Sequence, residues 1–295
     1  MSAQRRSKLM SASDALAGLE SGVKLCAAGV HFSNTPMALV RELIRKGTRD
    51  LEIIPTPATG LWVDMLLGAG AIKKIWVSYI GMDFLGLAPN FRRAVEGRKI
   101  EIVDVDEPTI FLGLRAAAGG LPFVAMPPIH KMTDLPKVSP QVYRDVVDPF
   151  TGKTVTATPP LAPDWALIHV AKADIYGNGV SLGGRHMEDI IAKASKHVVL
   201  SAEEIVDTSA ITAAPMQTTV PGALVEAVVH TPYGAYPGAC PGVYSYDRAH
   251  LEEYLDYAKD NRTQAYLDRY VYGSLGDAAL IAAAGPQRLA ALALK

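Results

Sequence analysis

The chain switches between two spacings of apolar residues. Dense apolar runs stand at 23–28, 51–55, 75–79 and 100–105. Each leads through a turn-rich crossing into a stretch whose apolar positions return every three or four residues, at 36–46, 61–68, 89–96 and 110–118. The dense runs predict strands covered on both faces, and the wider spacing predicts amphipathic helices. Four such alternations predict right-handed βαβ units on a mostly parallel sheet. The fourth unit is the most sharply punctuated: Ile100, Ile102, Val103 and Val105 make its strand, and Asp106 offers an acceptor to free helix N–H groups. Pro108 suits a first helical turn and Gly119-Gly120 a stop. A helix at 11–22 precedes the first strand, and Thr35 is the expected N-cap of the helix at 36–46, with Pro36 its first residue.

Beyond Phe123 this rhythm breaks. Residues 126–164 hold eight prolines and no sustained helical period, which predicts an insertion with one hairpin around Thr151-Gly152. The sheet is expected to resume at 165–171, with DIYGNGV turning into a strand that pairs back. A helix at 187–196 and strands at 197–201 and 224–230 follow, then a Gly/Pro/Tyr-rich loop at 231–247 and a helical tail from Arg248. The expected architecture is α/β: one domain over 1–295, a mostly parallel open sheet flanked by helices, with the insertion at 126–164 and the tail at 248–295.

Composition narrows the function classes. With 49% hydrophobic and 20% charged residues the chain can bury a full core, and a net charge of −1 gives no bulk attraction to nucleic acid or an anionic membrane. No run of about 18 apolar residues predicts a membrane span, and the basic N-terminus lacks the apolar core of a signal peptide. Two cysteines, Cys26 and Cys240, make neither a disulfide framework nor a zinc signature, which favours a reducing cytoplasm. His, Asp and Glu are scattered without ligand spacing, so no metal site is expected.

Two places carry candidate chemistry. In GVHFSNTP the backbone leaves a strand and enters a helix, so that Gly29, His31, Ser33, Asn34 and Thr35 could receive a substrate carboxylate; capping the helix is the competing role. Asp104, Asp106 and Glu107 stand at a strand's carboxyl end, where ligands of open α/β sheets settle, although acidic residues there also complement the helix dipole. Other motifs carry less. Glu20-Ser21-Gly22 precedes the first strand, GLWVDMLLGAG lacks the Lys-Ser/Thr ending of a phosphate loop, and Gly183-Gly184 reads as a turn. The three tyrosines nearest Cys240 could shape an acyl or partner surface.

Four blocks, AAGVHFSNTPMALVRELIRKGTRDL, LRAAAGGLPF, ADIYGNG and EAVVHTPYGAYPGACPGVYSYD, are spread from residue 27 to 247. Together they resemble the alpha (A) subunits of family I CoA-transferases, in the glutaconate CoA-transferase pattern. One departure is Ala28-Gly29-Val30 where the family has Gly-Gly-Phe. The resemblance implies an α/β fold, a partner beta (B) subunit of like fold, and an active site shared between them. In it a glutamyl-CoA thioester on the beta subunit carries CoA between two carboxylic acids, with coenzyme A as substrate and no permanently bound cofactor. A subgroup resembling the transferases hydrolyses cyclic CoA thioesters with a catalytic Glu in the alpha subunit. Aligned through LRAAAGGLPF, that Glu falls on Glu107. Three functions therefore stand as expectations: CoA transfer, hydrolysis or C–C cleavage of a CoA thioester with Glu107 as base, and a non-catalytic thioester-binding or regulatory role.

Overall fold

The computed structural model describes residues 5–273 and 277–294. A single helical turn α1 (Ala12–Ala15) comes first, followed by β1 (Lys24–Ala27), α2 (Met37–Lys46), β2 (Leu51–Ile53), α3 (Leu61–Gly68), β3 (Ile72–Val77), α4 (Pro89–Glu96), β4 (Glu101–Asp104) and α5 (Glu107–Ala118). The expected helix at 11–22 is thus one turn long; Leu16 and Leu19 are buried beyond it, but the backbone there makes only turns. Next come β5 (Val124–Ala125), α6 (Leu135–Val138), β6 (Arg144–Val147), β7 (Thr154–Thr158), β8 (Trp165–Ala173), β9 (Gly179–Val180), α7 (Glu188–Ala194), β10 (His197–Ile205), α8 (Thr208–Thr212) and β11 (Ala227–His230). The tail is α9 (Arg248–Lys259), α10 (Thr263–Tyr270), α11 (Asp277–Ala284) and α12 (Pro286–Leu292).

The main sheet has the order β11-β10-β8-β1-β2-β3-β4, every neighbour pair parallel, with β9 returning antiparallel on β8. Successive strand residues point to opposite faces, and both faces are apolar here. Leu25, Ala27, Ile53, Leu167 and Val199 join one core with α2, α3, α9 and α10, whereas Cys26, Ala28, Ile54, Ile168 and Leu200 join another with α5 and α7. That is why these strands read as unbroken apolar runs.

The strand at 100–105 is the exception. Its composition predicts cover on both faces, but β4 is the sheet's edge: Glu101 and Asp104 are exposed, Ile102 is half-buried and Val103 is buried. The punctuation after it holds, since Asp106 caps α5 by accepting from the Thr109 N–H at 3.0 Å and Pro108 lies in the first turn. The insertion is more regular than expected. Its β6 and β7 join β5, just ahead of it, in a three-stranded antiparallel sheet, β5-β7-β6, whose hairpin turns where expected, with Gly152 at φ 71° and its N–H donating to Asp148 O. The turn after Asp174 and the return of β9 also match the reading of DIYGNGV. Because all long strands run in one direction, the segments after Ala27, Ile53, Val77, Asp104, Ala173 and Ile205 share one edge of the sheet.

Candidate functional site at the strand tips

At that edge the crossing from β1 to α2 is tightly built. Gly29 has φ 102°, and a Cβ on it would lie 2.6 Å from the Ser33 carbonyl oxygen, so no other residue fits without moving the loop. The Gly29 carbonyl accepts from Thr56 Oγ1 at 2.7 Å, and the His31 N–H donates to Ala58 O at 3.1 Å, which joins this loop to the one after β2. Val30 and Ser33 exchange backbone bonds of 3.1 and 2.8 Å.

Thr35 does not cap the helix. Its hydroxyl reaches only His31 O, at 3.5 Å, while Pro36 occupies the cap position and Met37 begins the helix. Nor is the helix start an open anion cradle. The Ala38 N–H donates to Gly234 O and the Asn34 N–H to Ala239 O, each at 2.9 Å, so the loop at 231–247 has taken these donors. Asn34 and Thr35 are buried, whereas His31 and Ser33 are half-buried at the rim. The Asn34 carboxamide meets no hydrogen-bonding partner at either Oδ1 or Nδ2 among the described residues, and neither does His31 Nδ1. The His31 ring stands edge-on to Tyr79, with centroids 5.8 Å apart.

The loop at 231–247 is partly sunk into the fold: Ala235, Tyr236, Cys240 and Tyr244 are buried, while Pro232, Gly242 and Tyr246 stay exposed. Under it lies a carboxylate that the sequence pattern does not single out. Glu203 on β10 receives His169 Nε2 at 2.8 Å, the Tyr244 hydroxyl at 2.5 Å, and the N–H groups of Tyr233 and Gly234 at 2.5 and 2.9 Å. Burial pushes this carboxyl up, but the bonds from His169, Tyr244 and Tyr233 outweigh it and hold Glu203 below the usual range. A signal exists in principle: an acidic residue inside the apolar run HVVLSAEEI has to be paired if it faces inward.

Ser201 Oγ lies 2.9 Å from His169 Nδ1, completing a Ser-His-Glu row. Ser201 is wholly buried, however, so no substrate reaches it as a nucleophile. His169, Glu203 and Cys240 also place potential metal-ligand atoms within 4.8 Å of one another. Both His169 nitrogens and both Glu203 oxygens are already engaged by protein groups, and burial holds the Cys240 thiol well above its ordinary value. The donor set is that of a closed hydrogen-bond network.

The family model described as Coenzyme A transferase matches residues 9–231. The chain belongs to the coenzyme A transferase family. It is 32% identical over 280 residues to the alpha (A) chain of glutaconate CoA-transferase from Acidaminococcus fermentans, covering 90% of this chain and 86% of that one. The crystal structure of that enzyme superposes with a TM-score of 0.90 at 30% identity, over 98% of this chain and 96% of the other. An uncharacterized protein of Archaeoglobus fulgidus is 33% identical over 271 residues, and there this chain spans 60% of the relative's length. The cholesterol ring-cleaving hydrolase IpdA subunit of Rhodococcus jostii is 29% identical over 285 residues, covering 92% of this chain and 95% of that one.

As a coenzyme A transferase family chain it has one further carboxylate of interest on this edge. Glu107 is the first residue of α5, exposed, and has no hydrogen bond or ion pair among the described residues. Its neighbour Asp106 is engaged. Oδ1 accepts from Thr109, and Oδ2 lies 2.6 Å from Nε2 of the buried His130, a close approach without hydrogen-bond alignment that sets the insertion against the start of α5. Thr109 Oγ1 is also 2.9 Å from the Tyr143 hydroxyl. Glu20 lies outside the strand-tip edge, in the turn before β1, and GLWVDMLLGAG is mostly the helix α3. Among the described residues no helix is long and apolar enough to cross a membrane.

Proposed function

We propose that this chain is the alpha subunit of a heteromeric CoA-transferase that moves CoA between an acyl-CoA and a carboxylic or dicarboxylic acid. A beta (B) subunit would supply the nucleophilic glutamate, and coenzyme A would be a substrate with no permanently bound cofactor. The observation that carries this reading is the likeness, over almost the whole chain, to an alpha subunit named for that reaction. The geometry is consistent with half a site. His31 and Ser33 stand half-buried at the rim and can donate to a substrate carboxylate, while Gly29 keeps the backbone close behind them. Asn34 and Thr35, being buried, hold the loop from within. Both cysteines are buried and unpaired, which suits a cytoplasmic setting.

The test is covalent trapping. With this chain assembled with its beta partner and supplied with acyl-CoA, borohydride or hydroxylamine should modify one glutamate of the partner and abolish transfer. Turnover with no trapped thioester would refute the reading.

One observation favours a second chemistry. Glu107 is exposed and unpaired at a strand tip, and the sequence also resembles a chain named as a ring-cleaving hydrolase. If Glu107 acts as a general base on a CoA thioester, Glu107→Gln in the assembled complex should lower kcat by roughly 100-fold or more. A transferase with its nucleophile on the partner should lose less than about tenfold.

A further inference from the structure

We propose that Glu203 is a positioning residue for the substrate loop at 29–35, acting through the loop at 231–247. This rests on reading the 29–35 loop as substrate-facing. The connection is physical at each step. Glu203 accepts from the Tyr233 and Gly234 N–H groups. The Gly234 carbonyl then accepts from Ala38, the Ala239 N–H donates to Phe32 O at 2.6 Å, and the Ala239 carbonyl accepts from Asn34 at 2.9 Å. The middle segment has no slack on either side. A Cβ on Gly234 would lie 2.6 Å from His169 Cε1, and one on Gly238 would lie 2.3 Å from Phe32 O. The loop is therefore clamped between the Glu203 network beneath and the substrate loop above, and a shift of one moves the other.

The chemistry calls for an anion at this position. Four donors converge on the Glu203 carboxylate, which accepts at both oxygens. A glutamine of the same size would turn its own N–H₂ toward one of them, leaving a buried donor facing a donor. The Glu203 side chain is only 7% exposed, and both its oxygens are already taken by protein donors. Its effect on the reaction therefore passes through loop geometry.

The experiment is hydrogen exchange on the assembled alpha/beta complex, comparing wild type with Glu203→Gln, alongside steady-state kinetics. In the variant, amides at 231–240 and at 29–38 should both exchange roughly tenfold faster or more, the expected loss of one charge-assisted bond. Amides of α3, on the far side of β2, should keep their protection. KM for the carboxylic acid substrate should rise about tenfold while kcat changes by less than about threefold. Faster exchange at 231–240 with 29–38 and KM unchanged would overturn the proposal, and so would equal loosening of α3. Should Glu203→Gln not fold, Tyr244→Phe removes one of the four donors and should loosen the same two segments to a smaller degree; no loosening at 29–38 would overturn it. The exchange measurement needs no turnover, so its failure is distinguishable from failure of the transferase reading.

Discussion

Gly29 shows how a single residue fixes the path of a loop. Its φ of 102° and the 2.6 Å approach of the Ser33 carbonyl mean that a methyl group meets both backbone strain and a clash. Gly29→Ala should cost about 1–3 kcal/mol, read as a lower urea midpoint with unchanged m-value, and should raise KM through displacement of His31 and Ser33. Full stability in that variant would show that the loop can relax. Gly29 was legible in the sequence because a glycine between a strand run and a helix start has few other uses. The state of its neighbours was not. Asn34 and Thr35 look like free donors at a helix N-terminus, yet Asn34 and Ala38 give their N–H groups to carbonyls about two hundred positions away. Glu203 carries no local signature for the same reason: its partners come from residues 169, 233, 234 and 244, which only the folded chain brings together.

At the scale of elements, strand–helix alternation was readable because propensity, turn residues and burial all agree in β1, β8 and β10. For β4 they part. Edge and interior strands can share a β-branched composition, and exposure is decided by sheet order, which local pattern does not contain. The insertion shows little pattern in sequence for a related reason: its strands β6 and β7 are four and five residues long and carry little periodicity of their own. Several contacts with α5 fix it to the domain: His130 against Asp106, Tyr143 on Thr109, and Leu161, which packs in the α5 core and donates its N–H to Gly113 O. His130→Ala should therefore cost about 1–3 kcal/mol and expose residues 126–150 to limited proteolysis before the main sheet unfolds. A digestion pattern identical to wild type would show that the insertion is held elsewhere.

Across the whole molecule the helical tail returns to brace the loops that face the strand tips. Arg41 on α2, itself buried, pairs with Asp277 at 2.8 Å and donates to the Tyr236 carbonyl at 2.8 Å, while Asp247 accepts from the Tyr236 hydroxyl at 2.7 Å and pairs with Arg288 at 2.5 Å. His250 lies inside this arrangement, against Tyr236, Tyr266 and Tyr270, with Nε2 2.8 Å from the Tyr266 hydroxyl. Burial pushes His250 down to about 4 from 6.5, aided by the positive charges of Arg288 and Arg41 and opposed by Glu253 and Asp247. A depressed histidine binds its proton in the unfolded chain first. Its contribution is thus fully present above about pH 6.5, is lost as pH falls toward 4, and is level below that. The displacement corresponds to about 3 kcal/mol. His250→Gln can still accept from Tyr266 but does not titrate. In urea titrations at pH 7 and pH 4, the stability of wild type relative to this variant should therefore fall by about 3 kcal/mol between the two conditions. A difference that stays constant with pH would mean that His250 is solvated in the folded protein and that the tail is packed more loosely than its aromatic contacts imply.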